Sequence, residues 1–141
     1  MSTDLMQTFK DAVKWFNNFD PKNWRHLEPL LHKDITMKRI DDKPPNSYHV
    51  GRKEVEQYLC VGNGKADKAV FTADEPPHHQ EIGNYGFVSG TAFFEDPKGR
   101  KRLVYSFIYK RGDGPEDPRE EGDYPKNAKH WQAIHSWGKY I

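Results

Sequence analysis

Cysteine is nearly absent: Cys60 is the only one in 141 residues. That excludes an intramolecular disulfide and a zinc site built from the cysteines of one chain. Hydrophobic residues make up only 35%, and no apolar run approaches the roughly 20 residues of a membrane-spanning helix. Residues 1–10 lack a basic stretch followed by an apolar run, so no signal peptide is expected and the cytoplasm is the default location. Neither sign of charge dominates. The formal net charge of +1 provides no broad field to hold nucleic acid or an anionic membrane surface. GxSxG, P-loop, GxGxxG, HExxH and HxH patterns are all missing. Seven histidines raise the question of a metal. The adjacent pair His78 and His79 would face opposite ways on a strand and could not share one ion. No metal and no cofactor are expected.

What the chain does have is aromatic weight, at 13% of residues. A core built from few, large side chains follows. The length suits one domain spanning 1–141. The most informative stretch is 129–141, KHWQAIHSWGKYI. It alternates as a strand does, with Trp131, Ala133, His135 and Trp137 on one face and Gln132, Ile134, Ser136 and Gly138 on the other.

From the start of the chain, Asp4 offers an N-cap. Leu5, Phe9, Ala12, Val13 and Phe16 follow at helical spacing, with Trp15 flanking the stripe, which predicts a helix over about 4–17. Asp20-Pro21 begins a short second helix carrying Trp24, Leu27, Leu30 and Leu31, which Pro29 shortens or kinks. Residues 35–40 read as a strand and 41–47 as a loop. Val55, Tyr58 and Leu59 mark a third helix over 50–59. Residues 69–73 start a strand, Pro76-Pro77 interrupt it, and 78–82 resume it at an edge.

The β signal then strengthens. Residues 85–94 and 103–109 flank the turn Asp96-Pro97-Lys98-Gly99, a hairpin. Leu103, Tyr105, Phe107 and Tyr109 fill one of its faces, Val104 and Ile108 the other. A sheet apolar on both sides is covered on both sides, and a second subunit is the natural second cover. Residues 112–129 are acidic and proline-bearing, and read as a solvated, flexible loop.

Three stretches carry a resemblance. The first is Phe16-Asn17-Asn18-Phe19-Asp20 with Trp24 and Leu27-Glu28-Pro29-Leu30-Leu31-His32-Lys33-Asp34-Ile35. The second is His49-Val50-Gly51-Arg52-Lys53-Glu54-Val55-Glu56-Gln57-Tyr58-Leu59. The third is Trp131-Gln132-Ala133-Ile134-His135. In this order they resemble the NTF2-like superfamily, which includes SnoaL-like polyketide cyclases, ketosteroid isomerases, scytalone dehydratases and the association domain of calcium/calmodulin-dependent kinase. The resemblance implies an α+β cone, a curved mixed or antiparallel sheet wrapped around N-terminal helices. It also implies a cavity on the concave side and a homodimer through the opposite sheet face.

A shared fold does not define a reaction. The steroid-isomerase site needs a carboxylate base and a tyrosine. Arg39 stands where the base should be and Ala12 near the place of the tyrosine, so that activity is rejected. Acid–base chemistry of the dehydratase kind would draw on His135, His49, Tyr48 and Tyr105. His135 either lines the cavity or is a hydrogen-bonded core residue. Arg39 is either a surface residue or the group that holds an acidic part of a ligand. Trp15, Phe107 and Trp137 are expected as cavity walls.

Three functions follow, each with its own signature. A cofactor-independent isomerase, dehydratase or cyclase needs two or more titratable groups converging in the cavity. A non-catalytic module for a small organic ligand needs an apolar cavity with an isolated polar anchor. An assembly domain needs a large apolar sheet face and a filled cone.

Overall fold

The computed structural model describes residues 5–40, 47–62, 70–96, 99–112 and 131–141. From residue 113 on, the acidic loop lies outside these. The side chains of Arg39 and Cys60 do too.

Helix α1 (Leu5–Asn17) forms where the 3.6-residue stripe predicts it and buries Leu5, Thr8 and Phe9. It ends before Asp20, whose side chain accepts from Lys22 N at 2.8 Å and opens a 3-10 turn with Pro21 at its first position. Helix α2 (Trp24–Leu27) has only four residues. Pro29 lacks the N–H that another helical turn requires, and a 3-10 turn, Glu28–Leu30, delivers the chain directly into β1.

Strand β1 (Leu31–Ile40) pairs antiparallel with β2 (Ser47–Val50) and parallel with the last strand, β7 (Trp131–Tyr140). Strand β2 occupies residues expected as loop and helix start. Four residues, with Tyr48 and Val50 as the strand formers, are too short a run to give a clear local signal, and pairing with β1 supplies the rest. Gly51 then turns the chain into α3 (Arg52–Gly62) at φ 89°, a conformation other residues avoid. Its N–H donates to Ile35 O at 2.7 Å, and Glu54 reaches back to Val50 N at 2.9 Å.

Strands β3 (Val70–Ala73) and β4 (His78–Ile82) both pair antiparallel with β5 (Tyr85–Asp96), end to end along one of its edges. They are one edge strand broken where Pro76-Pro77 have no N–H to offer. Strand β5 pairs along its whole length with β6 (Gly99–Arg111), and β6 pairs with β7. The order across the sheet is β2-β1-β7-β6-β5-β3, with β4 beside β5.

Cross-strand partners share a face, so the register sorts the side chains. Ile35, Met37, Ser136, Leu103, Tyr105, Phe107, Tyr109, Val88 and Ala92 share the inner face, with α1 and α3 packed over it. Trp131, Tyr105 and Tyr109 are at most 2% exposed and form the bulk of the core with Phe9, Phe19 and Trp24. No described helix is long and apolar enough to cross a membrane.

Candidate functional site

Between the helices and the inner sheet face lies a cavity of about 330 Å³, at the small end of the range for ligand pockets. Helix α1 contributes Phe9, Ala12, Val13 and Phe16. These positions fall on one side of a helix, and Trp15 does not. Helix α3 contributes Val55, Tyr58 and Leu59, and the sheet contributes Phe71, Phe94, Tyr105, Phe107, Tyr109 and Tyr140 among others. Among the described residues the lining holds no histidine, carboxylate, lysine, arginine or cysteine. The polar side chains among the lining residues belong to Tyr58, Tyr105, Tyr109, Tyr140 and Ser136.

Tyr105 is the centre of an aromatic cluster. Its ring stacks on Phe9 with centroids 5.8 Å apart and planes at 13°, meets Phe71 edge-on at 5.1 Å and lies 5.6 Å from Phe107. Its hydroxyl is buried and has no hydrogen-bond partner. Opposite it on β5 is Gly90, where a Cβ would stand 2.9 Å from that hydroxyl oxygen. Burial, then the charges of Asp74 and Glu75, push the Tyr105 phenol up to about 12. Burial, with Tyr105 adding to it, also raises Tyr109. Asp74 accepts from the Thr91 hydroxyl and from Arg102 Nε, the latter at 3.0 Å.

The sequence-expected residues divide. Tyr105, Phe107 and Trp137 line the cavity. Trp137 does so between Ser136 and Gly138. Its pairing with Lys38 and Ser106 sets its indole on the outer face, so its contribution is main chain. His135 is elsewhere. Ile108 pairs with His135, yet Tyr109 pairs with Ala133, so Ile134 is an extra residue in β7. This bulge reverses the alternation after Ala133. Trp131 and Ala133 face inward, whereas His135 and Trp137 do not. His135 Nδ1 instead lies 2.7 Å from Thr36 Oγ1.

Tyr48 and His49 are consecutive residues of β2 and point to opposite faces. Tyr48 is 57% exposed beside Lys38. The His49 ring packs at 4.5 Å on Tyr58, behind the lining, with Nε2 buried and unpartnered. Trp15 stacks on His26 at 4.3 Å between α1 and α2, so it is not a cavity wall. The main chain of Arg39 pairs with Ser47 and Gly138. His78 and His79 are exposed on β4. No group of three or more His, Cys, Asp or Glu among the described residues is placed to hold a metal ion. Gly90 carried no signal in the sequence, because its role depends on which residue of β6 stands opposite.

The outer face has its own character. The register places Tyr48, Val50, Val70, Ile82, Tyr85 and Phe87 on it. These are all of the exposed large hydrophobic residues that lie in described strands. His135, Trp137, Val104 and Ile108 share that face.

No protein-family model matches the chain, and no curated protein matches it. Solved structures do. An NTF2-like protein from Cytophaga hutchinsonii superposes with a TM-score of 0.68 at 15% identity, over 97% of this chain and 95% of that one. A putative calcium/calmodulin-dependent protein kinase type II association domain from Thiobacillus denitrificans gives 0.69 at 9%, over 100% and 98%. The CaMKII hub of S. rosetta gives 0.68 at 11%, over 97% and 94%. With the helices over the inner face of a curved mixed sheet, these likenesses show what the motif order implied: the chain has the NTF2-like fold.

Proposed function

We propose that this protein is a non-catalytic binding module for a small, largely apolar organic molecule, held in the cavity under α1 and α3, and that it works as a homodimer. The observation that carries the reading is the cavity itself, about 330 Å³ and walled mainly by aliphatic and aromatic side chains. Isomerase, dehydratase or cyclase chemistry needs an acid and a base converging on the substrate. The described lining offers neither a histidine nor a carboxylate, which favours binding over turnover. A SnoaL-like subtype is part of the proposal.

The assembly reading has an observation of its own. Six large apolar side chains are exposed on one sheet face, and two structural neighbours are a kinase association domain and a kinase hub. We infer that this face meets the same face of a second copy. Pocket and dimer are compatible, since they use opposite sides of the sheet.

The test uses N-phenyl-1-naphthylamine, a neutral dye whose emission rises in apolar surroundings. The wild-type protein should bind it saturably. Ala12→Phe, which puts a ring into the cavity from α1, should abolish most of the signal while leaving the circular dichroism spectrum unchanged. No saturable signal in the wild type, or an equal signal in the filled variant, overturns the reading.

A further inference from the structure

The described cavity lining carries no charged side chain, and a cation stands at its edge. We propose that Lys101 anchors the acidic end of an amphipathic ligand, so that the site takes carboxylic acids with an apolar body. The body fills the cavity, and the carboxylate emerges past Tyr140 to meet the ammonium. This rests on the binding reading above and specifies what is bound.

Strand register sets Lys101 there. Leu103, Tyr105, Phe107 and Tyr109 of β6 line the cavity. Alternation puts Lys101 on the same inner face, two residues nearer the turn of the hairpin. Its partner across the hairpin is Phe94, and Tyr140 is the partner of Leu103. Both rings line the cavity. Lys101 Nζ lies over the Tyr140 ring, 4.9 Å from its centroid, within the range of cation–π attraction. Phe94 and Tyr140 are partly exposed and Lys101 is exposed, so this end of the lining meets solvent. Among the described residues, Lys14, Arg100 and Arg111 also lie over rings, those of Trp15, Phe93 and Trp131. None of these three rings lines the cavity.

The place of the charge decides what can bind. A carboxylate drawn inside the aromatic wall would lose its water and gain nothing in return. At the rim it stays hydrated, and the described lining brings no carboxylate to repel it. Lys101 has no ion-pair partner among the described residues, so its charge is free to act on a ligand. A single ammonium on a flexible stem is a point charge, which matches a singly charged acid. The apolar body supplies most of the affinity by burial against rings such as Phe9, Phe16 and Phe107. Lys101 sets the sign of charge the ligand carries and the end that faces outward.

The experiment uses three probes of one chain length, octanoate, 1-octanol and octylammonium, each titrated at low salt as a competitor of N-phenyl-1-naphthylamine. In the wild type octanoate should bind tighter than octylammonium, and added salt should shrink the difference. Lys101→Gln should weaken octanoate by about two- to fivefold, the worth of one exposed ion pair, and leave 1-octanol unchanged. Lys101→Glu should invert the order of octanoate and octylammonium. Lys14→Gln removes the same charge from an exposed site over Trp15 and should leave all three probes unchanged. Octanoate that binds no tighter than octylammonium, equal effects of Lys101→Gln and Lys14→Gln on octanoate, or equal losses of octanoate and 1-octanol in Lys101→Gln overturn the proposal. Saturable binding of 1-octanol then leaves the cavity reading standing. Failure of the dye and all three probes to bind overturns both.

Discussion

His135 Nδ1 lies 2.7 Å from Thr36 Oγ1, across the parallel pair β1–β7, on the side of the sheet away from the cavity. The histidine best placed by sequence for acid–base work is therefore a strand-to-strand tie. His135→Ala should cost about 0.5–1.5 kcal/mol, the worth of one neutral hydrogen bond, in a urea titration. Its affinity for N-phenyl-1-naphthylamine should match wild type within twofold. A large loss of affinity with intact stability would put the imidazole in contact with the ligand and contradict this placement.

Asn17, the last residue of α1, ties that helix to the sheet by a different device. Its amide donates to Phe71 O at 2.8 Å and accepts from Phe71 N at 2.8 Å, so one side chain pairs with edge strand β3 as a neighbouring strand would. Asn17→Ala leaves both main-chain groups of a part-buried edge without their partner. The expected loss is about 1–3 kcal/mol by chemical denaturation. Asn18→Ala, which removes one exposed bond to Lys14 O, should cost less.

Gly90 and Tyr105 should behave as a coupled pair. Gly90→Ala brings a methyl to 2.9 Å from the Tyr105 hydroxyl and 3.2 Å from Cζ, and overpacking of this kind costs about 1–3 kcal/mol. Adding Tyr105→Phe removes the closer contact. The double variant should be more stable than the sum of the singles predicts, a coupling that a double-mutant cycle measures. Strict additivity would show that the phenol has room to move aside.

Stability should fall at high pH. Tyr105 is raised from an ordinary 10 to about 12, and Tyr109 is raised as well. For groups whose folded pKa lies above the unfolded value, the unfolded chain gives up its protons first. The contribution of these phenols is complete below pH 10 and is lost as pH rises through their raised folded values, about 12 for Tyr105. Absorbance at 295 nm should show two tyrosines titrating late, in step with loss of the near-ultraviolet circular dichroism signal. Tyr105→Phe should reduce the slope of stability against pH in that window. If every tyrosine titrated near 10 with the fold intact, the two phenols would have to be accessible.

Phe87 is on the outer face of β5, between Ile108 of β6 and edge strand β4, and is 37% exposed. In a homodimer built on that face, Phe87→Lys should shift the mass in analytical ultracentrifugation from two chains to one. Binding of N-phenyl-1-naphthylamine should persist, since Phe87 and the cavity lie on opposite sides of the sheet. A wild-type protein that sediments as a monomer at high concentration would remove the dimer from the proposal.

Much of the architecture was legible because its causes are local. The stripe Leu5, Phe9, Ala12, Val13 and Phe16 is set by helical geometry; Trp15, expected as a cavity wall, lies to one side of it and stacks on His26. Pro29 ended α2, and Pro76-Pro77 broke the edge strand, because proline has no N–H wherever it stands. Gly51 could be read as the lead of a helix because its φ of 89° suits few other residues. The face of β6 that carries Tyr105 and Phe107 followed from strict alternation.

Register and bulges were not legible. Sequence alternation assumes an uninterrupted strand, and one extra residue at Ile134 reverses every position after it. That is why His135 and Trp137 part from Trp131 and Ala133. Between Leu31 and Thr36, β1 has its own irregularity against β7, and there too the fit between strands decides. Tyr48 and His49 lost their expected partnership when pairing with β1 made them a strand. Gly90 acquired meaning only when register set it opposite Tyr105.

By itself, then, the sequence determined the helices, the hairpin, the aromatic composition of the core and the order of elements that marks this fold. These depend on contacts within a few residues. Only the tertiary structure decided which groups meet: that the Tyr105 phenol packs over Gly90, that the described histidines stay out of the cavity wall, and that the exposed large hydrophobic residues of the described strands lie on one face. Those outcomes depend on strand register, which is set by packing between segments far apart in the chain.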